Sequence, residues 1–160
     1  MLSRTFAGYI KVSFHMNRPR PSLRIEIVWL DSDMLELRLS VCNADFAGQS
    51  NFYAALDEPK AFAKAIEGFP DSVGDVRAYE FGDTRLPGYG GAKVKLYCRD
   101  GTGHLVVRVV VHQNPTGLET VPELATVRID VVPAAIDSFV EELRRMKTQV
   151  GESATLQSEN

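Results

Sequence analysis

Ala92-Lys93-Val94-Lys95-Leu96-Tyr97-Cys98-Arg99 runs into Asp100-Gly101-Thr102-Gly103, and then into His104-Leu105-Val106-Val107-Arg108-Val109-Val110-Val111-His112-Gln113. Two β-branched runs around a Gly-rich turn are the sequence form of a β-hairpin. A turn centred on Gly101-Thr102 pairs Cys98 with Leu105 and Lys95 with Arg108. Val94, Leu96, Cys98, Leu105, Val107, Val109 and Val111 then share a core face, because successive strand residues point to opposite sides. Lys93, Lys95, Tyr97, Val106, Arg108, Val110 and His112 share the other face. The hairpin therefore implies an antiparallel sheet with one dry and one wetter side.

The flanking sequence extends the same logic. Leu23, Ile25, Ile27 and Trp29 alternate along Leu23–Leu30, and Leu35, Leu37, Leu39 and Val41 alternate along Met34–Asn43. Asp31-Ser32-Asp33 supplies a short turn between them. A three-residue loop pairs Trp29 with Leu35, Ile27 with Leu37 and Ile25 with Leu39. It also sets Glu26 opposite Arg38, a favourable cross-strand pair. Trp29 reads as core in this register. Phe46–Ala54 carries mixed signals: Gly48 marks a bulge, while Asn51-Phe52-Tyr53 has strand character.

A helix follows, with Asp57 as N-cap, Pro59 in its first turn and an apolar stripe of Ala61, Phe62, Ala65, Ile66 and Phe69. Gly68 and Pro70 end it. Asp75–Phe81 and Leu124–Val132 read as strands, and Gly82–Gly91 and Asn114–Glu123 as loops. Pro133 opens a second helix to about Lys147 with Ile136, Phe139, Val140, Leu143 and Met146 on one side. Its far side carries Glu141, Glu142, Arg144 and Arg145. Strands that adjoin as meanders argue against a parallel doubly wound sheet. The expected fold is α+β: a single antiparallel sheet of about six to eight strands, with two amphipathic helices on its apolar face.

Residues 23–150 form the expected single domain, flanked by a polar C-terminal tail at 151–160, loose apart from Leu156, which has the character to dock. Residues 1–22 carry Arg4, Lys11, Arg18 and Arg20 with no acid before Glu26, in the manner of a transit peptide. The alternation of Ile10, Val12 and Phe14 with Lys11, Ser13 and His15 favours a basic arm or an edge strand. Met16 is an alternative start.

Composition narrows the classes. The 160 residues are 44% hydrophobic and 24% charged, with a net charge of −3. These are ordinary globular proportions, and nucleic-acid binding usually shows a basic excess instead. No apolar run reaches the length of a membrane span. Two cysteines, Cys42 and Cys98, are too few for a disulfide framework and imply reduced thiols in a cytoplasmic protein.

Motifs for chemistry are missing from the sequence. Pro87-Gly88-Tyr89-Gly90-Gly91-Ala92-Lys93 has the glycines of a phosphate loop, but Val94 and a strand follow where Ser/Thr and a helix are needed. His104 and His112 share a face but lie about 27 Å apart at strand rise, too far for one metal. Cys98 and His104 point to opposite faces, which opposes a nucleophile–base pair. Asp31/Asp33 form a turn and Glu141/Glu142 a solvated helix face. No catalytic residue, cofactor or metal ligand is therefore assigned.

One feature is left over. Lys95 opposite Arg108 is a like-charge pair, unfavourable unless an acid intervenes. Either Glu26, Glu36 or Asp130 on a neighbouring strand neutralises it, or Lys93, Lys95, Tyr97, Arg108 and His112 form a partner-binding face.

The layout from Leu35 to Met146 resembles that of WapI-type bacterial immunity proteins and their relatives. The resemblance is carried by Phe46-Ala47-Gly48-Gln49-Ser50 and by Phe62-Ala63 with Ile66 and Phe69-Pro70. Gly101-Thr102-Gly103-His104-Leu105 and Ile136-Asp137-Ser138-Phe139 with Leu143 extend it. It implies an intracellular protein that binds and neutralises a toxin. With no catalytic motif, an acidic net charge and no long apolar run, the leading expectation is a non-enzymatic interaction protein with no nucleic-acid or membrane partner. The alternative is a small-ligand-binding domain using a cavity between sheet and helices.

Overall fold

The computed structural model describes residues 19–83 and 85–158. The expected basic arm or edge strand therefore lies largely outside the described residues. Ten elements follow in order: β1 (Ser22–Leu30), β2 (Met34–Cys42), β3 (Ala47–Ala55), α1 (Glu58–Ile66), β4 (Val76–Gly82), β5 (Gly90–Cys98), β6 (Leu105–Gln113), β7 (Glu123–Val131), α2 (Pro133–Arg145) and β8 (Ser153–Gln157). The class is α+β, but the strands form two antiparallel sheets of four instead of the single sheet expected. Sheet A has the order β3-β2-β1-β8 and sheet B the order β4-β5-β6-β7.

The division has a physical cause. Each meander alternates apolar and polar residues, so each makes one dry face, and two dry faces bury each other. Leu23, Ile25, Leu37 and Leu39 of sheet A join Val94, Leu96, Val107, Val109 and Ile129 of sheet B in one core. α1 and α2 pack on each other and add Phe62, Ile66, Ile136, Phe139 and Leu143 to it. β3 lies across sheet B, and Gly48 permits the approach. A Cβ there would meet Val111 Cγ2 at 2.6 Å and Ala125 Cβ at 2.8 Å. Gly48 is thus a close-approach site and not the expected bulge, since β3 pairs with β2 without interruption. Ser50 fastens the crossing: buried, it donates to the His112 carbonyl at 2.8 Å and accepts from the Gly91 N–H at 3.0 Å.

Register agrees with expectation in both hairpins up to one position. Ile25 faces Leu39, Glu26 faces Arg38 and Ile27 faces Leu37. An irregularity between Ile27 and Trp29 then sets Trp29 opposite Glu36 and Leu30 opposite Leu35. One extra residue flips the face, so Trp29 is 42% exposed and not core. The Asp31 carboxylate holds the turn by accepting from the Asp33 and Met34 N–H groups.

The tail also departs from expectation. Residues 153–157 form β8 on the free edge of β1, with Ala154 and Leu156 buried. Its five residues pair with Ser22 to Glu26 and cover an edge that would otherwise present unpaired backbone. Glu142 of α2 reinforces the return by accepting from the Thr155 N–H at 2.8 Å. α1 begins at Asp57, whose backbone carbonyl accepts from Lys60 and Ala61 while its side chain makes no cap bond. No described helix is long and apolar enough to cross a membrane.

Candidate protein-binding face

The outer face of sheet B is a grid set by register. Its first row is Val76, Tyr97, Val106 and Asp130, and its second is Ala78, Lys95, Arg108 and Arg128. The third is Glu80, Lys93, Val110 and Thr126, and the fourth is Gly82, Gly91, His112 and Leu124. Three cations from three neighbouring strands thus stand side by side in the second row.

The acids expected to neutralise this row do not. Glu26 and Glu36 belong to sheet A, where Glu26 pairs with Arg24 at 3.5 Å and Glu36 accepts from Asn51 at 2.9 Å. Asp130 is taken by Arg99. Glu80 pairs with Lys93 at 2.9 Å. Among the described residues, no carboxylate lies within ion-pair distance of Lys95, Arg108 or Arg128. Like charges directly opposite one another are destabilising. The outer face of sheet A is the contrast: Arg24 meets Glu26, Arg38 and Glu36 both bond Asn51, and Ser40 bonds Gln49.

The five sequence-predicted residues fall into different places. Lys95 and Arg108 are exposed and adjacent, and Tyr97 is half-buried beside Val106. Lys93 is exposed but already paired with Glu80. His112 shares the face and not the surface, being 6% exposed. Its ring lies over Gly91, where a Cβ would come within 2.5 Å of Cε1. Burial, aided by Lys93 and opposed by Glu80, lowers its pKa below the ordinary imidazole range. It is therefore neutral at pH 7, and its Nε2 has no hydrogen-bond partner among the described residues.

Arg128 is the residue that sequence reasoning missed. The alternation of Val127, Ile129 and Val131 does place it on the outer side. Its row could not be read, because the long connection after Gln113 leaves the β6–β7 register open.

The other reactive side chains are occupied structurally. His104 Nδ1 sits 3.0 Å from Asp100 and 2.9 Å from Thr102 Oγ1 at the hairpin tip. Thr102 and His104 hold the Asp100 carboxyl well below the usual carboxylate range. Both contacts use the same ring nitrogen at an exposed turn, so no relay runs from acid through imidazole to hydroxyl. Cys98 donates toward the Ser72 carbonyl and Cys42 toward the Arg20 carbonyl, each as a free thiol.

No protein-family model, no curated protein and no solved structure matches this chain.

Proposed function

We propose that this chain is a non-enzymatic interaction protein whose sheet B outer face receives an acidic surface of a protein partner. The carrying observation is the row Lys95–Arg108–Arg128, unneutralised in a chain of net charge −3. Half-buried Tyr97 and exposed Val76 form the adjoining row, so an apolar contact and a charge contact lie within one patch. Aromatic and Arg side chains are the usual anchors of such interfaces. The resemblance to WapI-type immunity proteins supplies the narrower form: a bacterial cytoplasmic protein that occludes a toxin. A ligand cavity between sheets and helices is favoured less, because Phe62, Ile66, Ile136, Phe139 and Leu143 fill that space at 0–1% exposure.

The test compares capture from lysate by the wild-type chain and by a Lys95→Glu, Arg128→Glu variant. A stoichiometric partner that the variant loses, and whose capture by the wild type weakens as salt rises, supports the reading. The toxin form further requires that the partner arrest growth when expressed alone and not when co-expressed with this chain. A folded variant that captures the same partner equally well removes this face from consideration.

A further inference from the structure

The opposite electrostatic character appears where the outer face of sheet A meets the β4 edge of sheet B. Trp29, Tyr53 and Tyr89 come from β1, β3 and the loop before β5, and they form one row. Successive ring centroids are 6.1 Å apart, at interplanar angles of 87° and 61°. All three stay 42–48% exposed, as does Leu86 at 45%. Exposed rings gathered from three separate elements are not explained by core packing, since each keeps nearly half its surface in water.

A depression of about 370 Å³ adjoins the row. Tyr53, Tyr89 and Leu86 make its apolar wall, and Glu58, Glu80 and Asp83 its polar wall. Two of these acids are already matched, Glu80 by Lys93 at 2.9 Å and Asp83 by Arg85 at 3.0 Å. Among the described residues Glu58 is not paired with a cation; it accepts the Tyr79 hydroxyl at 2.7 Å. That bond fixes the carboxylate and leaves its acceptor capacity unfilled, because two oxygens offer about four lone-pair sites. A fixed carboxylate beside aromatic faces is complementary to a planar cation, which stacks on the rings and donates to the acid.

We propose that this depression is a docking site for an arginine side chain presented by a partner protein. It is separate from the cationic row and does not depend on the function proposed above. Trp29 is the only tryptophan of the chain and packs edge-on to Tyr53 of the apolar wall, so its fluorescence reports the site through that ring.

The experiment titrates the full chain with acetyl-Arg-Gly-Arg-Gly-Arg-amide, against the same peptide with citrulline at each Arg. Citrulline keeps shape and loses charge. The expected result is a saturable change in Trp29 emission with the arginine peptide and none with the citrulline peptide. Glu58→Gln, which keeps an acceptor for Tyr79, weakens binding at least ten-fold, and Tyr89→Ala does the same. Arg24→Gln, at the opposite end of β1 from Trp29, leaves it unchanged. An equal response to citrulline, the absence of saturation, or full binding by Glu58→Gln each overturns the proposal. Circular dichroism of each variant separates loss of binding from loss of fold.

Discussion

Arg108→Glu should make the protein more stable while it weakens binding to an acidic partner. Arg108 is the middle member of the Lys95–Arg108–Arg128 row, so one substitution turns two like-charge contacts into two opposite-charge contacts. Adjacent strands lie about 4.8 Å apart, and long side chains splay to about 6 Å between charges. At that distance two unit charges in water interact by about 0.7 kcal/mol. Screening over a Debye length of about 8 Å leaves about 0.3 kcal/mol per pair at physiological salt. Reversing two such contacts is worth about 1.3 kcal/mol, and the lower strand propensity of Glu returns a few tenths of it.

The net gain is therefore about 1 kcal/mol, or about 3 °C in Tm for a domain of this size. Thermal melts in 0.02, 0.15 and 1 M NaCl read it, with Arg108→Gln as the neutral control. The gain should be largest in dilute salt, should nearly vanish in 1 M, and should be about half as large for Arg108→Gln. A loss of stability independent of salt would refute the reasoning, for it would mean that Arg108 holds the fold through contacts and not merely charge.

Gly48→Ala should destabilise the fold by about 1–3 kcal/mol, read as a lower urea midpoint, because its Cβ would strike Val111 and Ala125. Stability should fall as pH drops below about 6.5, where the unfolded chain protonates a histidine that the native state keeps neutral at His112. Native protonation at the lowered pKa ends the decline, and His112→Gln should remove this component from denaturant titrations across pH 4–8.

Legibility followed the range of the interactions. The β5–β6 register was readable because a short turn ties the two strands, and every pairing from Lys93–Val110 to Cys98–Leu105 occurs as expected. The division into two sheets was not readable, since alternation shows that a strand has a dry face and does not say what covers it. Trp29 escaped for a local reason: one extra residue in β1 inverts its side, and nothing in the chain marks that position. β8 escaped because Ser153-Ala154-Thr155-Leu156-Gln157 has only two apolar residues; its strand character comes from the edge it covers. The cationic face was half legible: the short hairpin gave Lys95 and Arg108, and Arg128 arrives from across a connection too long to fix a register.

The location of the cationic row bears on how it would work. β5 and β6 are hydrogen-bonded on both sides, so the backbone beneath Lys95 and Arg108 is fixed before any partner arrives. Binding there adds no backbone ordering to the rigid-body and side-chain entropy that any association costs. The repulsion within the row acts in the same direction, because an acidic partner relieves it on contact and the free protein cannot. A face that is unfavourable alone and favourable when covered makes charge reversal separate stability from affinity. A purely solvated face has no reason to move the two in opposite directions.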